Sequence, residues 1–102
     1  MKAEALQKML ARGQDSAMLR FGLGKAYLDD GRNDDAAEHL QRCVEQDPSY
    51  SAAWALLGKA LLAQGNRSGA ELAWQSGIDA AVDNGDKQSE KQMMVLLNKL
   101  HK

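Results

Sequence analysis

The chain has 102 residues, enough for one domain with a modest hydrophobic core and little beyond it. Its 13 basic and 14 acidic residues give a formal net charge of −1, so the general positive charge of a nucleic-acid-binding or membrane-surface protein is missing. A single cysteine rules out an intramolecular disulfide and thus a secreted disulfide-stapled scaffold. We expect one domain, with neither nucleic acid nor membrane as a partner.

The N-terminal stretch carries charged residues every few positions and has no apolar segment long enough for a signal peptide or a membrane-spanning helix. This composition predicts a mature cytoplasmic protein. Alanine, leucine, glutamine, lysine and glutamate are abundant and only one proline is present, which favours helix throughout. We expect an all-α fold.

The first predicted helix runs from Lys2 to about Arg12. Apolar side chains recur in it at helical spacing, so one stripe is expected to pack inward. Gly13 ends the helix, and Asp15 and Ser16 offer side-chain oxygens to the first N–H groups of the next one. The inward stripe consists of Ala5, Leu6, Met9 and Leu10.

The second predicted helix spans 17–30 and the third spans 34–46, with Gly31 at the turn between them. Glycine inside a helix costs roughly 1 kcal/mol relative to alanine, so Gly24 predicts a compensating close contact between helices. Asp47-Pro48 ends the third helix, because proline disfavours helical geometry in the residue before it. The residues expected inward are Leu19, Leu23, Ala26 and Tyr27, then Ala36, Leu40, Cys43 and Val44.

Three further helices are predicted at about 52–64, 67–82 and 87–100. Ser51 is expected to cap the fourth helix, and Asn66 to open the fifth. Asn84-Gly85-Asp86 is a typical turn sequence before the last helix. The fourth helix repeats the pattern of the second through Trp54, Leu57, Gly58, Leu61 and Leu62, and the fifth is expected to bury Ala70, Trp74, Gly77 and Ile78.

An internal repeat connects these helices. The stretch Leu23-Gly24-Lys25-Ala26-Tyr27-Leu28 returns 34 residues later as Leu57-Gly58-Lys59-Ala60-Leu61-Leu62. A repeat of this length is typical of helix-turn-helix solenoids. Repeats cannot bury their faces alone, so flanking helices are expected to act as caps.

The repeated residues resemble the tetratricopeptide repeat family. The first copy matches at Leu23, Gly24, Tyr27, Gly31, Ala36, Leu40, Cys43 and Pro48, with Arg20 where the family usually has tryptophan. The second copy matches at Trp54, Leu57, Gly58, Gly65, Ala70, Trp74 and Gly77, with Leu61 in place of tyrosine and Val82 in place of proline.

This resemblance implies a right-handed α-solenoid of antiparallel helix pairs, with about six helices in a single domain, 1–102. Its expected parts are an N-terminal helix in 1–14, a first repeat in 17–50, a second repeat in 51–84 and a C-terminal capping helix in 86–101. The function that the resemblance implies is a non-catalytic protein–protein interaction module, such as an adaptor, an assembly factor or a chaperone-like scaffold.

The resemblance also implies that the first helix of each repeat lines a concave groove, which would bind a peptide segment or a partner helix. Lys25 and Lys59 would attract a carboxylate there, and Phe21 and Leu28 would supply contact area. The alternative is that both lysines are merely solvated and that Phe21 packs against a terminal helix. The candidate groove residues are Met18, Phe21, Lys25, Leu28, Asp29, Ala55, Lys59 and Leu62.

A variant of this family binds the terminal carboxylate of chaperone tails with a clamp of lysine, asparagine and arginine side chains. In this chain Phe21, Leu56, Asp86 and Glu90 occupy positions where such a clamp would need polar or basic groups. We therefore expect no chaperone-tail binding of that kind.

The last helix carries more apolar side chains than one neighbour can cover, because consecutive residues lie about 100° apart around a helix. Two interpretations remain open. The helix is a cap alone, or it also forms a homodimer or partner surface, which would consist of Met93, Met94, Leu97 and Leu100.

Residue types that support catalysis or metal binding do not form a recognisable pattern. His39 and His101 lie far apart in sequence, match no zinc or iron spacing and are expected at the surface. Cys43 is expected to be a small buried residue. The chain has no glycine-rich phosphate loop and no nucleophile elbow, so we expect neither an enzyme nor a cofactor or metal site.

Overall fold

In the computed structural model, which describes residues 2–101 and only the backbone of Lys2, the chain folds into six helices. No strand occurs in this part of the chain. The all-α prediction is confirmed, and each predicted helix bound lies within two residues of the observed one. The helices are α1 Lys2–Ala11, α2 Ala17–Asp29, α3 Asn33–Gln46, α4 Ser51–Ala63, α5 Arg67–Asn84 and α6 Lys87–Leu100.

Each helix packs against the next one in the chain, which builds a solenoid of antiparallel neighbours. Short turns make these reversals. At Gly31 and Gly65 the backbone is in the left-handed region, with φ of 76° and 83°, where a residue with a Cβ would be strained. The two equivalent glycines of the repeat therefore end α2 and α4 in the same way.

The core contains one large, fully buried side chain from each of the helices α2 to α6. These are Leu23, Leu40, Leu57, Trp74 and Met93. Two glycines allow the helices of a repeat to approach closely: a Cβ at Gly24 would collide with Leu40, and one at Gly58 would collide with Trp74. The contact predicted to compensate for a glycine inside α2 is confirmed.

The inward face of α1 differs from the predicted stripe. Ala3 is buried, at 1% exposure, and Leu6 and Leu10 pack against the core, whereas Ala5 is exposed and Met9 is 40% exposed. The prediction that Ala5 and Met9 face inward is wrong. The reason is that α1 packs on α2 alone, so a narrower stripe than that of an internal helix suffices.

His39 lies inside the protein, at 7% exposure, and the prediction of a surface histidine is wrong. Its ring stacks on Tyr27 with the centroids 5.5 Å apart. Its Nδ1 atom accepts a hydrogen bond of 3.0 Å from the guanidinium of Arg20, which can only donate. A cation-bearing side chain from α2 thus satisfies an imidazole on α3.

Asn66 caps α5 as predicted, since its side chain accepts from the backbone N–H of Gly69 at 2.9 Å. Ser51 does not cap α4. It is the first residue of that helix, and its hydroxyl donates to Asp86 at 2.6 Å. This bond joins the start of α4 to the start of α6, because Asp86 is the N-cap residue of α6.

Candidate protein-binding groove

The contacts between alternate helices show which face of the solenoid is concave. Helix α2 contacts α4 and α4 contacts α6, whereas within residues 2–101 no such contact joins α1 to α3 or α3 to α5. The solenoid is therefore tighter along α2, α4 and α6, which we call the groove helices. Their side chains line the inner face, and α1, α3 and α5 form the outer layer.

On α2 the predicted groove residues differ in accessibility. Met18 is 76% exposed. Lys25 forms an ion pair of 3.6 Å with Asp29, and both side chains are largely exposed, at 60% and 64%. Leu28 is half-buried against the core. A surface ion pair of this kind contributes little to stability, so Lys25 remains available to another carboxylate.

Phe21 does not stand free in the groove. Its ring stacks on Tyr50, with centroids 4.9 Å apart and planes inclined by 20°, and it packs against the core. The aromatic pair joins α2 to the residue before α4. Tyr50 was missed from sequence because it lies in a turn, outside the repeated helical pattern.

On α4 only part of the predicted set is accessible. Leu62 is 41% exposed and Lys59 is half-buried. Ala55 is 2% exposed and packs in a cluster with Met93 and Leu100 of α6, so its side chain offers no surface to a partner. The backbone carbonyl of Ala55 accepts from the indole N–H of Trp74 at 3.1 Å.

A change of register brings new residues to the groove in α6. The large buried residues Leu23, Leu40, Leu57 and Trp74 follow one another every 17 residues, but the next one, Met93, comes after 19. The side chains of α6 are therefore displaced by two positions from the repeat. Groove positions set by Lys25 and Lys59 then correspond to Val95, and the neighbouring positions to Lys91 and Lys99.

Sequence comparison at the constant offset of 34 residues placed Met93 near the groove and Glu90 at a clamp position. The displacement buries Met93 and brings Lys91, rather than Glu90, to the inner face. Asp86 is occupied as the N-cap of α6. A signal for this was present, since the 17-residue spacing falls on Lys91, which cannot serve as a core residue.

The surface predicted on the last helix is divided in the structure. Met93 is fully buried and Leu100 is 8% exposed, so neither is available for an oligomer or partner contact. Leu97 is half-buried, whereas Met94 and Val95 are 48% and 52% exposed. The exposed part is smaller than predicted because α6 covers the ends of both α4 and α5.

A cleft of about 300 Å³ lies elsewhere, between α3, α4 and α5. Trp54, Leu61 and Leu72 line it, and none of the groove residues does. The inner face itself is an open surface. Small-molecule sites are concave and enclosed, so an open surface of this shape suits a protein segment better.

The groups that could support other chemistry are constrained. Burial, with a smaller effect of Asp47, raises the pKa of the Cys43 thiol to about 11, so the thiol stays protonated. Among residues 2–101 no three histidine, cysteine or carboxylate side chains are grouped to hold a metal ion. Within the same residues no helix is both long enough and apolar enough to span a bilayer.

Comparison with known proteins agrees with this architecture. The solution structure of a Bordetella parapertussis protein has a TM-score of 0.85 and 46% sequence identity, covering 99% of this chain and 88% of that chain. A TPR repeat-containing protein of Pseudomonas aeruginosa is 62% identical over 100 residues, which are 98% of this chain and 95% of that protein.

A heat-shock protein cognate co-chaperone of Aspergillus fumigatus is 31% identical over 75 residues. The match covers 74% of this chain but only 22% of the co-chaperone. The family model for the tetratricopeptide repeat matches residues 3–51 and 21–86. The chain therefore belongs to the tetratricopeptide repeat family.

Proposed function

We propose that the protein is a non-catalytic interaction module of the cytoplasm, which binds a peptide segment or a partner helix along its inner face. The observation that carries this proposal is the side-chain inventory of the groove helices. Met18 and Leu62 remain exposed there beside Lys25, although the rest of α2 and α4 is packed. Apolar side chains beside flexible charges are typical of a binding surface.

The co-chaperone relative does not extend this proposal to chaperone tails. Most of that protein lies outside the match, and here Phe21 is occupied by its contact with Tyr50. Val95, at the position that follows from Lys25 and Lys59, brings an apolar side chain to the same face. An adaptor or assembly role is therefore the form of the proposal that the groove supports best.

Partner capture with charge-reversed variants tests the groove. We expect Lys25→Glu/Lys59→Glu to lose the proteins that the wild-type chain retains from a cell lysate, as identified by mass spectrometry. The matched control is Lys8→Glu/Arg42→Glu, which makes the same change of charge at exposed positions on α1 and α3. Unchanged capture by the groove variant would refute the proposal, provided that circular dichroism shows the same helix content.

A second candidate function is self-association through α6, which the exposure of Met94 and Val95 favours. In this alternative the two side chains would pack against a second copy. Methionine adapts well to irregular apolar surfaces, and this would suit such a contact.

A further inference from the structure

We propose that the groove selects an acidic, extended segment of a partner protein, whose carboxylates pair with a row of lysines that crosses all three groove helices. This inference rests on the proposed function and specifies its ligand. Lys25 on α2, Lys59 on α4 and Lys91 and Lys99 on α6 form the row, which we call the lysine row. Asp29 is the carboxylate at the groove positions of the same helices.

The lysine row exists because α6 is displaced by two residues. At the offset of the repeat, its inner face would carry Ser89 and Met93, which are buried instead. The displacement turns Lys91, Val95 and Lys99 to that side, since residues four apart lie on one face of a helix. All three are exposed.

Most of the row is not neutralised by the protein itself. Lys25 pairs with Asp29 at 3.6 Å. Among the ion pairs between residues 2–101, none within 4.0 Å involves Lys59, Lys91 or Lys99. A chain with a net charge of −1 thus keeps a positive groove, and the excess charge must be matched by a ligand or by solvent ions.

The spacing of the row fits an extended chain that crosses the helices. Packed helices lie roughly 8–10 Å apart. An extended segment advances about 3.3 Å per residue, so about every third side chain would meet the next groove helix. Carboxylates at every third position would therefore reach Lys25, Lys59 and the α6 lysines in turn, while Met18, Leu62 and Val95 contact the residues between them.

Nucleic acid fits this surface less well than an acidic segment does. Binding of single strands relies on free aromatic rings for base stacking and gains from arginine. The aromatic ring at the groove positions, Phe21, is stacked on Tyr50, and the row contains lysine alone. Exposed Met18 and Leu62 would also remain unpaired against a phosphate backbone.

Fluorescence anisotropy with synthetic peptides tests the inference. The probe is a short labelled peptide, amidated at its C-terminus, with glutamate at every third position and leucine or serine between. We expect it to bind at low salt and to bind at least about tenfold more weakly when every glutamate is replaced by glutamine. Binding should also weaken as salt is raised, because exposed charges are screened.

Variants locate the site. Lys91→Glu/Lys99→Glu should weaken binding of the glutamate peptide by about tenfold or more. The control Lys8→Glu/Arg42→Glu, with the same change of charge on the outer helices, should bind it as the wild type does. Circular dichroism verifies that each variant is folded.

Three results would overturn the inference. The first is equal binding of the glutamate and glutamine peptides, or of neither. The second is binding only by a peptide with a free C-terminal carboxylate, and the third is displacement of the glutamate peptide by a single-stranded oligonucleotide at comparable concentration. The capture experiment with Lys25→Glu/Lys59→Glu judges the groove separately, because it does not assume an acidic partner.

Discussion

Arg20 decides how α2 and α3 meet at the residue scale. Its Nε and one terminal nitrogen donate to both carboxylate oxygens of Asp15, at 2.8 and 2.9 Å, and the other terminal nitrogen donates to His39. The hydrogen bonds from Arg20 and from Gln46 hold the pKa of Asp15 well below its usual range. A charged side chain thus occupies the place where the family usually has tryptophan.

This arrangement predicts that acid weakens the fold through His39. Burial, and then the neighbouring charge of Arg20, lower the pKa of His39 from 6.5. As pH falls through that value the unfolded chain takes up a proton that the folded chain refuses, so stability present above it is lost. Asp35 and Glu38 on α3, and Asp15, face the ring and oppose the shift without reversing it.

The measurement is urea unfolding at about pH 7.5 and about pH 5, where an unperturbed histidine changes charge. We expect the wild type to lose more stability between these values than His39→Gln, whose amide oxygen can accept from Arg20 without titrating. His101 is present in both proteins. The lowered pKa values of Asp15 and Asp86 act below 3.8, outside the window. An equal loss in both proteins would contradict this account.

Local sequence could not predict the burial of His39. Its neighbours Arg20 and Tyr27 lie on another helix, and nothing near His39 in the chain indicates that an arginine will satisfy its ring. Leu23, Leu40 and Trp74 were predicted correctly because apolar periodicity alone determines which face of a helix is buried. A polar core residue depends on a partner that periodicity does not identify.

At the scale of one element, α6 combines a core face and an exposed face. Met93 contacts Gly77, where an added Cβ would collide with it, and it is fully buried. The adjacent Met94 is 48% exposed. Two neighbouring methionines of one helix therefore have different roles, which the sequence alone did not separate.

Alanine substitutions of these two methionines test that division. We expect Met93→Ala to cost about 2–5 kcal/mol of unfolding free energy, because it leaves a cavity beneath α6. Met94→Ala should change it by less than about 0.5 kcal/mol, as is usual at the surface. Thermal or urea unfolding of both variants measures the difference. Similar losses for the two would show that the register described for α6 is wrong.

The positions of the helices were predictable, whereas the register of α6 was not. The repeat gave α2 to α5 correctly because glycine and alanine recur at equivalent places, such as Gly24 and Gly58. Helix α5 continues to Asn84, four residues longer than α3, and the turn after it is shorter. A period extrapolated across this turn therefore misplaced Lys91 and Val95.

Two core clusters make up the whole molecule. The larger one involves helices α1 to α5, and the smaller one lies between α4, α5 and α6. Trp54 and Leu61 of α4 pack against both. Helix α4 therefore connects the two parts of the solenoid, and the end of the molecule at α6 depends on it.

Light scattering over a concentration series tests self-association at this end. If α6 forms a dimer, the wild type should show a mass that rises with concentration, and Met94→Glu/Val95→Glu should remain monomeric. The control Met18→Glu carries a charge to an exposed methionine of α2 and should behave as the wild type. A wild-type monomer at every concentration would remove the dimer from consideration.

The displaced register of α6 also limits how long the array can grow. In each repeat a glycine, Gly24 or Gly58, admits the side chain of the following helix. With the shift of two residues, the equivalent place in α6 is held by Met94, whose side chain would obstruct a seventh helix that docked in the same way. Extending this protein by a further repeat would first require a glycine there, so a single side chain marks the end of the array.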